Sequence, residues 1–308
     1  MNQSLRRLSI ALIFLAIAAS DSSIADERQV KSEQAAKIDG KSDSARAVLN
    51  VETRRRSKAG TSQEKVIDGS EEWNPTQTAI VIVDMWDDHH CKSAAERVVE
   101  MAPHVNRTIT AARDKGVFII HAPSDCMSYY KDAPERQQAI KSSVARSAIK
   151  FQWNYFNPDR EGPLAGKLEK GGCSCDTPEP CSPSRIVWKK QIDTIKIHPT
   201  DAITSDGQEV YNLLQQRGIN NVVVMGVHTN RCVLGRPFGI RQMVYLQKNV
   251  VLCRDLTDSY HRDPGHHFEG LNRIIGHVET YWCPTITSES LTGKPPFKFK
   301  AALSNKDR

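Results

Sequence analysis

The segment Asn221–Cys232, NVVVMGVHTNRC, sets an apolar run directly before a polar turn and a cysteine. Val222, Val223, Val224, Met225 and Val227 are interrupted only by Gly226, the pattern of a strand buried on both faces of a parallel sheet. His228, Thr229 and Asn230 then form a tight turn, and Cys232 opens a helix. A thiol at a helix N-terminus meets unpaired backbone N–H groups and the positive end of the dipole. That lowers its pKa and favours the thiolate nucleophile. The competing assignment for Cys232 is a small core residue, the fate of most free cysteines.

Working outward, two more runs carry chemistry at their ends. Thr78–Val83, TAIVIV, ends at Asp84, and Ile192–Ile197, IDTIKI, carries Lys196. Further strands are predicted at Val117–His121, Asn249–Cys253 and Thr285–Thr287. Between them, apolar residues at helical spacing predict helices over Ala95–Lys115, Ser205–Arg217 and His267–Trp282. Gly116 and Gly218 end the first two, and Ser205 or Asp206 caps the second. This alternation predicts an α/β fold: three layers, α/β/α, around a doubly wound, mostly parallel, Rossmann-like sheet of about six strands. A carboxylate, an ammonium and a thiol then gather at the carboxyl ends of three strands, where open α/β sheets place ligands.

With AIVIVDMWD (Ala79–Asp87), HAPSD (His121–Asp125), GVHTNRCV (Gly226–Val233) and RDLTDS (Arg254–Ser259), the chain resembles the isochorismatase-like cysteine hydrolases. That superfamily includes nicotinamidases and N-carbamoylsarcosine amidohydrolase, and the resemblance spans roughly Thr78 to Ser288. It implies an Asp84–Lys196–Cys232 triad, a cis peptide between Val227 and His228, and a homo-oligomer. Family members often read Asp-x-Gln-Asn-Asp-Phe after the first strand, where this chain has Asp84, Met85, Trp86, Asp87, Asp88 and His89. Lys196 stands slightly further from Ala202 than the usual gap, which leaves Lys189 and Lys190 as runners-up and His198 as a residue for the same slot. The Asp-x-His…His metal set of nicotinamidases has no match around His121 and Asp125, so neither metal nor cofactor is expected.

The implied reaction is hydrolysis of a small amide or related C–N bond through a thioester. Cys232 attacks, Asp84 moves the proton, Lys196 stabilises both charges, and the amides of His228 and Cys232 hold the oxyanion. Trp86 as a stacking wall and His89 as a polar contact are candidates for the substrate pocket, with His121, Asp125 and Tyr129 opposite. Arg231 and Arg236 flank the nucleophile, which suits a carboxylate-bearing substrate, although exposed helix arginines are the commoner case. The three histidines His261, His266 and His267 receive no role. Vinyl ether hydrolysis of the isochorismatase type is the first rival, and the presence of Cys232 argues against it. A non-catalytic binding protein that keeps the fold is the second.

Composition bounds the partners. Net charge is +6, but no basic stripe interleaved with aromatics occurs in the folded part, which argues against nucleic acid. Arg6 and Arg7, the apolar Leu8–Ala19 and the small residues Ser23 and Ala25 read as a signal peptide over 1–25. The apolar part is too short for a stable membrane span, so an exported, periplasmic or secreted protein is expected. Residues 26–72 read as a disordered linker, 73–290 as the hydrolase domain and 291–308 as a basic tail. Eight cysteines in an exported chain favour disulfides. Cys173, Cys175 and Cys181 sit in a Gly/Pro-rich insertion near 171–183, where a disulfide is preferred within the loop or to Cys91 or Cys126. Zinc is the alternative, lacking an obvious fourth ligand.

Overall fold

The computed structural model describes residues 48–57, 65–164, 168, 171–173, 175, 181, 186–262 and 266–300. In chain order they form β1 (Leu49–Arg56), β2 (Val66–Trp73), β3 (Thr78–Val83), α1 (Lys92–Asp114), β4 (Phe118–Ala122) and α2 (Pro134–Ile140). There follow β5 (Ala202–Ile203), α3 (Gly207–Gln216), β6 (Asn221–Val227), α4 (Ile240–Tyr245), β7 (Asn249–Asp258), α5 (His267–Tyr281), β8 (Thr285–Ile286) and α6 (Glu289–Thr292).

One sheet runs β2-β1-β8-β7-β6-β3-β4-β5. The six strands from β8 to β5 are parallel, as predicted from the alternation of runs, and a β1–β2 hairpin adds an antiparallel margin. Every residue of β3 and all but the first of β6 are buried, which is why both read as unbroken apolar runs. β3 lies beside β6, so the residues that follow them meet at the point where strand order reverses. Gly226 is required there. Its φ is +107°, and a Cβ would collide with the Val83 carbonyl of the neighbouring strand.

Three expectations need correction. Ile192–Ile197 is not a strand. Its polar Asp193, Thr194 and Lys196 deny it a continuous apolar face, and it turns back on itself, with the Ile195 amide donating to the Ile192 carbonyl. Gln191 instead bridges antiparallel to Trp86, and the short β5 takes the place beside β4. The polar segment before residue 72 is not all linker. β1 turns Leu49 and Val51 inward, while Arg54 and Arg56 both bond the buried Glu279 of α5 at 2.7 Å. The tail also packs as far as residue 300, burying Phe297 and Phe299. The expected signal peptide lies outside the described residues; among them no helix is long and apolar enough to cross a membrane.

Candidate active site

Asp84 leaves β3 in a left-handed conformation, φ +49°, and is completely buried. Its Oδ1 accepts a 2.7 Å hydrogen bond from the Ser124 amide in the loop after β4. Oδ2 accepts no hydrogen bond of full geometry among the described residues, although the Cys232 thiol lies within weak bonding reach. Cys232 stands in a single π-helical turn, Thr229–Val233, directly after β6. The peptide joining Val227 to His228 is cis, as the family resemblance implied.

The cation beside this pair is Arg236. Its backbone amide bonds the Cys232 carbonyl at 3.0 Å, one turn on, which brings the guanidinium back beside the Cys232 thiol. Nε stands 3.6 Å from Asp84 Oδ2, Nη2 bonds Asp125 at 2.8 Å, and the guanidinium lies over the Trp153 ring. Burial opposes its charge, but Asp84, Cys232 and Asp125 together hold it above its ordinary pKa.

Burial governs the other two groups. It raises the Asp84 pKa, and the opposing charge of Arg236 and the contact with Cys232 only partly offset it. The Cys232 thiol is also raised, first by burial and then by the adjacent Asp84 carboxylate. This corrects the expected thiolate. The local helix start would favour ionisation, but a closed site and a neighbouring negative charge outweigh it.

Lys196 is not part of this group. It is exposed, its ammonium donates to the Asp193 carbonyl and its amide to Asn106. Lys190 bonds Asp193, Lys189 is exposed, and the exposed His198 bonds Thr200. The residues that follow β5 are Thr204, Ser205 and Asp206, with no lysine at that strand end.

The aromatic residues after β3 do gather near the nucleophile turn. Trp86 stacks on Trp188 at 4.0 Å between ring centroids, and its Nε1 donates to the Ser124 carbonyl. His89 stacks on Trp188 and meets the His228 ring edge-on at 5.0 Å. Burial depresses His89 to about 4 and His228 well below its ordinary value, so both rings are neutral at pH 7. The polar atoms Ser124 Oγ, His228 Nε2 and Trp188 Nε1 are buried without a partner among the described residues. Asp84 Oδ2 is buried without a hydrogen-bond partner among those residues as well, and buried polar atoms left unpaired in this way suit a place that receives a polar molecule.

His121 is placed differently from the expectation. It is wholly buried, with its two ring nitrogens on Gln191 and Asp201, so it braces the sheet edge instead of lining the cleft. Arg231 is exposed, with its Cδ close to Gly171 of the insertion. Tyr129 is exposed, and Asp125 enters as the partner of Arg236. Trp188 and the role of Arg236 were missed, although the four-residue step from Cys232 to Arg236 was a readable signal. A surface cavity of about 850 Å³ lies elsewhere, between the start of α1 and Pro296–Lys298.

The profile of the isochorismatase domain matches residues 78–281. Among solved structures, a cysteine hydrolase from Pseudomonas syringae pv. phaseolicola aligns at 14% identity and TM-score 0.42, covering 72% of this chain and 93% of that one. N-carbamoylsarcosine amidase from Thermoplasma acidophilum aligns at 14% identity and TM-score 0.37, over 69% and 97% of the two chains. The nicotinamidase from Staphylococcus aureus aligns at 16% and 0.36, over 66% and 94%. Comparison with curated proteins gives no match.

Proposed function

Since the chain belongs to the isochorismatase family, we propose that it hydrolyses a small amide or related C–N bond with Cys232 as nucleophile. The observation that carries this reading is the meeting of Asp84 and Cys232 at the sheet's switch point, with Asp84 Oδ2 short of partners and Arg236 beside both. A raised carboxylate pKa makes Asp84 a better proton acceptor, and it sits against a thiol that needs one.

In the proposed reaction the Cys232 proton passes to Asp84 as sulfur bonds the carbonyl carbon. Arg236 stabilises the negative charge of Asp84 before the transfer and that developing on sulfur during it, and the charge then passes to the carbonyl oxygen. The amides of His228 and Cys232 receive the oxyanion. Asp84 returns its proton to the leaving nitrogen, the C–N bond breaks, and a thioester remains. Water then attacks the thioester, giving its proton to Asp84, and the acid leaves as the thiol is restored. Trp86, Trp188 and His89 form an aromatic wall suited to a flat substrate.

The absence of a lysine after β5 favours one rival, a binding protein that has kept the fold. Ammonia or amine release from a panel of small amides, measured for wild type, Cys232→Ala and Lys196→Ala, separates the two. The proposal expects release by wild type and Lys196→Ala and none above background from Cys232→Ala. Turnover that survives in Cys232→Ala removes the nucleophile, and failure of wild type across the panel favours the binding protein.

A further inference from the structure

Outside the site just described, three of the eight cysteines, Cys91, Cys173 and Cys175, gather in one cluster, and a fourth, Cys181, stands against Cys175. The Sγ atoms of Cys91, Cys173 and Cys175 all lie within 4.8 Å of one another. Cys175 Sγ is 3.7 Å from Cys91 Sγ and also 3.7 Å from Cys181 Sγ. Cys91 and Cys173 are buried, and Cys175 and Cys181 half-buried. Cys91 comes from the cap of α1, and the other three come from the insertion 82 or more residues later in the chain.

From this geometry we infer that Cys91, Cys173, Cys175 and Cys181 bind one structural zinc ion, tying the insertion to the start of α1. Zinc takes four thiolates at about 2.3 Å in a tetrahedron, whose sulfur–sulfur edge is then roughly 3.8 Å. Cys175 stands at that edge length from two sulfurs at once, whereas a disulfide gives each sulfur a single partner. Donors suited to thiolate sulfur surround the cluster. The Ser93 amide donates to Cys175 Sγ and the Cys175 amide to Cys173 Sγ, each at 3.4 Å. The N-terminus of α1 adds its positive dipole end beside Cys91. On binding, the four thiols lose their protons to solvent and each sulfur gives a lone pair to the metal. Four protein ligands close the site, so the ion's work is structural.

The preferred disulfide of the sequence reading is replaced by this assignment. The missing fourth ligand was Cys91, which only the folded chain brings near. The site also bears on the pocket. Cys91 follows His89 and His90, and its amide donates to His89 Nδ1 at 3.1 Å. Gly171 and Gly172 press the insertion against Tyr260 and Arg262, and Tyr260 touches the His89 and His228 rings. A metal clip here would hold one wall of the candidate active site.

Elemental analysis of the full chain, purified without chelator, tests this beside a thiol count of denatured, metal-free protein with and without reductant. About one zinc per chain is expected, with all eight thiols titrating without reductant. Cys175→Ser and Cys181→Ser should each cut bound zinc at least roughly tenfold, and Cys253→Ala should keep it. Should the serine variants fail to fold, wild type refolded with cobalt(II) must show the visible spectrum of a tetrahedral thiolate site. Zinc-free protein with thiols lost to disulfides overturns the inference. So do four free thiols that stay metal-free after refolding with zinc, iron in zinc's place, or zinc retained in both serine variants.

Discussion

Asp84 and Asp258 stand at the same edge of the sheet, one directly after β3 and the other at the end of β7, and both are fully buried. Their charge states nevertheless diverge. Burial raises both, yet Asp258 ends far below its ordinary value because Arg97 and His267 each bond one of its oxygens, at 2.8 and 2.7 Å. Asp84 ends above its ordinary value, because one amide and an offset guanidinium do not offset the same desolvation. Equal burial with unequal partners separates a charged anchor, Asp258, from the proposed proton acceptor, Asp84.

Substituting the two residues should break stability in one case and turnover in the other. Asp84→Asn is expected to fold normally and to lose at least roughly 100-fold in amide turnover, the scale of a lost general base. Near-normal turnover would hand the proton to another group.

Asp258→Asn is expected instead to cost about 3 kcal/mol at pH 7, because it leaves Arg97 with a broken buried pair. Denaturant titration across pH sharpens the point. A carboxylate depressed by folding stabilises the native state above its unfolded pKa, and the gain is lost as pH falls through the folded value. The gap between wild type and Asp258→Asn should therefore narrow below about pH 4. Asp84 is raised by folding, so its contribution has the opposite sign: it favours the native state at low pH and fades as pH rises. Asp84→Asn should then show no stability loss near pH 7.

The smallest expected effect concerns the two cations. Arg236 lowers the pKa of both Asp84 and Cys232, so Arg236→Gln should move the acidic limb of the pH–rate profile up by roughly one unit. Lys196→Ala should leave the profile where it was. A shift with Lys196→Ala and none with Arg236→Gln would restore the lysine to the site.

Legibility followed the range of the interaction. β3 and β6 were readable to the residue, because a strand buried on both faces must be apolar throughout, and the alternation with helices gave the parallel sheet. β1 and β5 were not, since the hairpin owes its place to Glu279 and β5 has only two residues. At the site, Asp84 and Cys232 follow their strands directly, so position along the chain placed them. Lys196 misled because its segment resembles a strand by composition while its bonds run to Asp193 and Asn106. The pKa of Cys232 was legible only as a local dipole effect. The opposing carboxylate arrives from 148 residues earlier in sequence.

The proposed proton transfer between Asp84 and Cys232 is tested most directly by the pH dependence of Cys232 alkylation, followed by peptide mapping in wild type and Asp84→Asn. Because the Asp84 charge raises the thiol's pKa, its removal should shift the alkylation midpoint to lower pH, giving more thiolate in a variant with less turnover. An unchanged or higher midpoint would contradict the coupling on which the proposed mechanism rests.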